Sequence, residues 1–177
     1  MEKKRKLVLF ISTSLDGYIA TKDESLDWLF QVEGEGDNGY SEFYETVDTI
    51  LFGKRTYDWV LKQGIEKLPY ENKACYVFTR SPLEDQEDVK FVNEDAVHFT
   101  NKLKNQEGRN IWLVGGGELL HSFIKNQLVD EFIMKVAPIL LGTGIPLFRE
   151  GDYQLNLSLK GVRNFNQFVE LHYEVKK

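Results

Sequence analysis

A chain of 177 residues is long enough to bury a core of its own and is most simply read as one domain spanning 1–177. With 42% hydrophobic and 28% charged residues, it has the composition of a globular protein in water. A net charge of −6 argues against general affinity for nucleic acid or anionic membrane, and it makes any local cluster of Lys and Arg informative.

The basic Lys3–Lys6 precedes the apolar Leu7–Ile11, which is too short for the core of a signal peptide. No stretch approaches the roughly 20 apolar residues of a membrane span, so a cytoplasmic location is expected. Leu7–Ile11 reads as a buried first strand. It runs into a long early loop, Ser12 to Leu29, in which Asp16-Gly17 is a turn signal and Trp28 is the large apolar side chain. A loop of that length in a compact domain is more often functional than idle.

Gly34–Gly39 is an acidic, glycine-rich connector. Tyr40, Phe43, Tyr44 and Val47 then fall at i, i+3, i+4 and i+7, predicting a helix over 40–47. Thr49–Phe52 is a second strand. It ends in Gly53-Lys54-Arg55-Thr56, where a helix to Lys62 begins with two cations at its positive end. That placement is locally unfavourable unless an anion is held there. Leu68–Asn72 is a loop, and Cys75–Phe78 a third strand ending in Thr79-Arg80-Ser81. Val89–Val92 is a fourth strand. Asp95–Asn105 is a helix with Val97 and Leu103 inward and Gly108 as its cap.

Ile111–Val114 is a fifth strand, too apolar to be half exposed. Gly115, Gly116 and Gly117 follow, and a helix starts at once through Glu118, Leu119 and Leu120. Glycine permits a sharp turn and close approach of a ligand, and the unpaired N–H groups of the helix N-terminus suit a phosphate. The alternative is a plain strand-to-helix turn, because neither the dinucleotide fingerprint nor the Walker pattern is present. Glu131–Ala137 is a sixth strand, and Ile139–Phe148 is an apolar loop able to wall a pocket. Two alternating runs, Leu155 to Leu159 and Val169 to Val175, form a closing antiparallel pair.

Cys75 is the only cysteine, so no internal disulfide can form, and a buried structural thiol is expected. His98, His121 and His172 are scattered without metal-ligand spacing, so no metal is expected. Strands alternating with helices up to residue 137 imply right-handed crossovers and a parallel sheet. The endings at Gly53–Thr56, Thr79–Ser81 and Gly115–Glu118 therefore share its C-terminal edge, where such sheets bind ligands. Three anion-friendly endings on one rim point to a ligand with several phosphates.

Ser14-Leu15-Asp16-Gly17-Tyr18-Ile19-Ala20, Gly53-Lys54-Arg55-Thr56-Tyr57, Thr79-Arg80-Ser81 and Val114-Gly115-Gly116-Gly117-Glu118-Leu119 occur in the order and spacing of the dihydrofolate-reductase-like superfamily. Leu128-Val129-Asp130-Glu131 and Ala137-Pro138-Ile139-Leu140-Leu141-Gly142 narrow the resemblance. They are similar to the reductase domain of riboflavin-biosynthesis deaminase-reductases and its stand-alone bacterial relatives. The resemblance covers nearly the whole chain, without a deaminase zinc motif. It implies an α/β fold with a central, mostly parallel mixed sheet flanked by helices and a C-terminal antiparallel hairpin. It also implies NADPH, a small-molecule substrate and a homodimer. Gly53–Thr56 and Thr79–Ser81 would hold the adenosine 2′-phosphate and pyrophosphate. Val114 to Leu119 would back the pyrophosphate and nicotinamide ribose, and Ile19 and Ala20 would line the nicotinamide. Asp16 is the candidate catalytic carboxylate, with Asp16 and Trp28 toward the substrate.

Two departures bear on dihydrofolate as substrate. Asp27 stands before Trp28, where dihydrofolate reductases have proline. The carboxylate that should follow on a helix is matched only loosely, by Glu33 or Glu42. The expected activity is hydride transfer from NADPH to a small heterocyclic or ribose-bearing molecule, most like 5-amino-6-(5-phosphoribosylamino)uracil reduction. A non-catalytic NADPH sensor and a dihydrofolate reductase are the alternatives.

Overall fold

The computed structural model describes residues 3–64 and 68–177. Eight strands form one sheet in the order β5-β4-β3-β6-β1-β7-β10-β9. The parallel part comprises β1 (Leu7–Ser14), β3 (Val47–Gly53), β4 (Ala74–Phe78), β5 (Lys90–Val92), β6 (Asn110–Gly115) and β7 (Glu131–Ala137). The C-terminal pair β9 (Leu157–Phe165) and β10 (Phe168–Val175) joins antiparallel beside β7.

Alternate residues of the central strands face opposite layers, and both layers are apolar. On one side Leu7, Leu9, Leu51 and Leu113 pack under helices α4 (Ala96–Lys104) and α5 (Gly117–Lys125). On the other, Val8, Ile50, Phe52 and Trp112 meet Phe43 of α2 (Tyr40–Tyr44) and Tyr57 and Val60 of α3 (Lys54–Lys62). Apolar residues at consecutive positions are what strands covered on both faces require. Cys75 is part of this second layer, and burial pushes its thiol up to about 12, so it is inert.

Several boundaries differ from the sequence reading, each for a tertiary reason. The helix expected over 40–47 stops at Tyr44, because Val47 is fully buried as the first residue of β3. Gly108 does not cap α4, which ends at Asn105 with helical dihedrals. Gly108 instead lies at φ +150°, where a side chain would strike Asp48 and Arg5. β1 runs three residues past Ile11, since Ser12, Thr13 and Ser14 pair with Lys135, Val136 and Ala137. The early loop holds structure of its own. β2 (Tyr18–Ala20) pairs with β8 (Ile145–Pro146), and α1 (Asp27–Phe30) places Trp28 against Ala137 and Phe168. The last strand pair begins at Leu157, leaving Leu155 outside it.

Candidate active site

The two strands whose ends matter most are neighbours. β3 lies between β4 and β6, with Gly53 level with Phe78 and Phe52 level with Gly115. At that edge α3 leaves β3 toward one face and α5 leaves β6 toward the other. This divergence makes a crevice at a topological switch point. Gly53 and Gly116 form its floor. Gly116 has φ +115°, and a Cβ there would stand 3.2 Å from the Gly53 Cα. A Cβ on Gly53 would in turn stand 3.4 Å from the Gly116 Cα. Only glycine lets the two chains approach this closely at this dihedral.

The helix N-termini above that floor are open. Neither α3 nor α5 has a side-chain cap, their N-cap residues being Gly53 and Gly116. By contrast, Asp95 caps α4 by accepting from the His98 N–H at 2.7 Å. The chain thus caps one nine-residue helix and leaves two bare at the crevice, with unpaired N–H groups and the positive ends of their dipoles.

The rim around the crevice is cationic, with each cation loosely held by a carboxylate. Arg80 pairs with Glu118 at 2.8 Å, Arg55 with Glu24 at 2.5 Å and Lys54 with Asp58 at 2.5 Å. Arg80 and Arg55 remain 90% and 81% exposed, so these pairs contribute little and are readily exchanged. Thr79 and Ser81 form a tight turn, the Thr79 hydroxyl accepting from the Ser81 N–H at 3.2 Å. Turned with its nitrogen inward, the Asn93 amide donates to the Thr79 and Arg80 carbonyls at 3.0 and 3.1 Å. Thr56 lies beside Gly115, while Val114 and Leu119 lie half-buried below the rim on opposite faces. Arg149 was missed from sequence. Its guanidinium lies over Gly117 and 3.8 Å from Glu118, and no local motif marks it.

Asp16 lies beyond the end of β1. Its carboxylate accepts from the Ser14 hydroxyl at 2.6 Å and from the Leu141 and Gly142 N–H groups at 3.2 and 2.8 Å. The Ser14 hydrogen bond leads in holding its pKa below the ordinary 3.8, with slight burial opposing and the two amides adding to it. The group is therefore an anion that ties the apolar loop to β1. Ile19 and Ala20 lie on β2 above the same strand end, where the Ala20 carbonyl is so close to Gly144 that no side chain fits. Trp28 is buried and donates its indole N–H to the Ser25 carbonyl at 3.2 Å, so it faces the core cluster.

The other carboxylates considered are spoken for or remote. Glu42 pairs with Arg163 at 2.8 Å, and Glu131 pairs with His172 at 2.7 Å and with Lys6 at 2.5 Å. Glu33 precedes a turn rather than occupying a helix. Among the described residues no group of His, Cys, Asp and Glu could hold a metal ion, and no helix is long and apolar enough to cross a membrane.

The sheet order and the open crevice define a dihydrofolate-reductase-like protein. Dihydrofolate reductase from Enterococcus faecalis, solved with NADP(H) and RAB-propyl, matches with a TM-score of 0.64 at 16% identity, covering 97% of each chain, a likeness of fold alone. The chain belongs to the RibD C-terminal domain family, whose pattern matches residues 5–171. It is 53% identical over 171 residues to the uncharacterized protein YwjB of Bacillus subtilis (strain 168), covering 96% of this chain and 98% of that one. A protein from Shewanella sp. PV-4, assigned provisionally to riboflavin biosynthesis, superposes with a TM-score of 0.87 at 32% identity, over 97% and 99% of the two chains.

Proposed function

We propose that this protein is an NADPH-dependent reductase that delivers hydride to a small heterocyclic or ribose-bearing substrate, most like 5-amino-6-(5-phosphoribosylamino)uracil. The observation that carries this reading is the pair of uncapped helix N-termini over the Gly53–Gly116 contact, ringed by Arg55, Arg80 and Arg149. Backbone N–H groups and a helix dipole suit a pyrophosphate, and exposed arginines suit a terminal phosphate held by paired hydrogen bonds. Bound NADPH would supply the hydride. The chain would supply orientation. Gly115 and Gly116 let the backbone reach the phosphates, Ile19 and Ala20 wall the ring, and Asp16 fixes the loop that closes over it. A homodimer through the C-terminal hairpin and a cytoplasmic location complete the reading.

Titration of NADPH and NADH into wild type, Arg80→Ala and Arg55→Ala tests it. A hydrogen bond to a charged group contributes about 1.5–3 kcal/mol. Loss of one should therefore lower the NADPH/NADH preference by about 10–100-fold. The loss should shrink with added salt because both arginines are exposed. Equal losses for both cofactors would assign the arginines to the shared pyrophosphate, and a wild type without preference would overturn the NADPH assignment.

The engaged state of Asp16 favours one alternative, a sensor that binds NADPH without oxidising it, because the candidate catalytic carboxylate is committed to backbone amides. Stopped-flow loss of nicotinamide absorbance on adding aminopyrimidine substrates separates the two, since a sensor leaves the absorbance unchanged.

A further inference from the structure

On the α2 face of the sheet, below the end of β7, two opposite charges are buried side by side. Lys135 of β7 lies directly across from Glu170 of β10 and beside Ser12 of β1. Their side chains are 7% and 5% exposed, with Lys135 Nζ 3.3 Å from Glu170 Oε2. Charges this deep are costly unless geometry and hydrogen bonding compensate. Here they do so on one oxygen only. Glu170 Oε1 takes the Arg163 Nε–H at 3.0 Å and lies 2.9 Å from Arg163 Nη2, while buried Oε2 has no hydrogen-bond partner. Among the described residues, Lys135 Nζ donates no hydrogen bond of ordinary geometry, and its close neighbour is the Phe10 ring, 3.8 Å to the centroid. Burial pulls the Lys135 pKa down, with Glu170 opposing.

Structural ion pairs elsewhere in the chain look different. Buried Asp130 is met by Lys104 at 2.6 Å, by Lys177 at 2.5 Å and by the Leu7 N–H at 2.8 Å. In the Lys135–Glu170 pair the ammonium and Oε2 have only their own 3.3 Å approach, with no hydrogen bond of ordinary geometry to either among the described residues. The pair's Glu170 member lines a cleft of about 370 Å³ together with Phe10, Arg163 and His172, and Lys135 lies behind it. Ser12, beside Lys135, is one same-face step below Ser14, whose hydroxyl holds Asp16 at the rim. One such step along a strand is roughly 7 Å, within the span of a two-ring substrate.

We propose that Lys135 and Glu170 are the specificity-determining pair of the substrate pocket, recognising a planar heterocycle by an adjacent C=O and N–H. Lys135 donates to the ring carbonyl and Glu170 Oε2 accepts from the neighbouring ring N–H, while Phe10, stacked on Phe43 at 4.0 Å, supports the ammonium from below. This rests on the reductase reading and names the edge by which its substrate is held. A site built to pair both groups rejects analogues lacking one of them, because its own buried charges are then left bare.

The probe is 5,6-diaminouracil, compared with its 1,3-dimethyl derivative, which lacks the ring N–H groups. Calorimetric titration into wild type should show the parent binding at least about tenfold more tightly, the weight of one charge-assisted hydrogen bond. Lys135→Met and Glu170→Gln should each weaken the parent about tenfold or more and erase the preference over the dimethyl compound. Their NADPH affinity should equal that of wild type. Variants that bind the parent as wild type does would overturn the proposal. So would a wild type that fails to bind it or binds both compounds equally, a result that holds even if a variant does not fold. The titrations are run with and without NADPH. If NADPH does not bind, the reductase reading falls, while the cofactor-free comparison still decides on the pair.

Discussion

Asp16 shows how a single carboxylate changes meaning once its neighbours are known. It accepts one hydroxyl and two amides that tie Ser14 to Leu141 and Gly142, so it serves as an anion that positions the apolar loop. The sign of its pH dependence follows. Its folded pKa lies below the ordinary 3.8, so the tether is complete above that value and is lost only as pH falls through the lower one. A general acid would instead need a raised pKa near the working pH. We expect Asp16→Asn to lower turnover on the order of 10²-fold through misplacement of the loop, with NADPH affinity nearly unchanged. Steady-state kinetics beside a cofactor titration checks this, and unaltered turnover would remove Asp16 from the site. Gly116 is the second residue on which the site turns. Gly116→Val should lose both stability and NADPH binding, since φ +115° and the 3.2 Å approach to Gly53 both exclude a side chain. Gly36→Ala is the control. Its φ is +57° with open space around it, so it should lose roughly 1–2 kcal/mol and bind NADPH normally.

At the scale of elements, the three nine-residue helices divide by their N-termini. α4 is closed by Asp95, and α3 and α5 are open at the switch point. Asp95→Ala should cost about 1 kcal/mol in chemical denaturation and leave cofactor affinity unchanged. A change in NADPH affinity would mean that α4 also serves the site. The early loop makes a related point. Its ribbon β2–β8 and short α1 are held by partners more than a hundred residues away, as Tyr18 is by Pro146 and Trp28 by Ala137 and Phe168. No periodicity of three residues could announce them.

For the whole molecule, the C-terminal hairpin leaves one apolar face open. Leu159 and Val162 are 58% and 56% exposed, and Leu157 and Val169 lie on the same side. The register shift at His172/Tyr173 leaves Lys160 as an extra residue, which keeps the apolar side chains on one side along β9. An unpaired edge strand with such a face is a liability in a lone copy and a ready surface for a second one. Val162→Lys is expected to convert a dimer to a monomer in size-exclusion chromatography with light scattering. A wild type that is already monomeric, or a variant still dimeric, would exclude this surface.

What the amino-acid sequence determined by itself was whatever depends on near neighbours. The apolar runs were long enough to mark the buried strands, and glycine at Gly53 and Gly115–Gly117 marked where they turn into helices. The alternation of strands and helices implied a parallel sheet whose endings share one rim, and the sheet order bears this out. Only the tertiary structure decided what depends on partners distant in the chain. It brought Gly53 against Gly116, set Arg149 over α5 and turned Asp16 toward Leu141 and Gly142. It also buried Lys135 against Glu170. Lys135 reads in sequence as one more polar residue of an alternating strand. Its burial follows from β10 lying on its flank and Phe10 beneath its ammonium, contacts that arise only when the sheet closes.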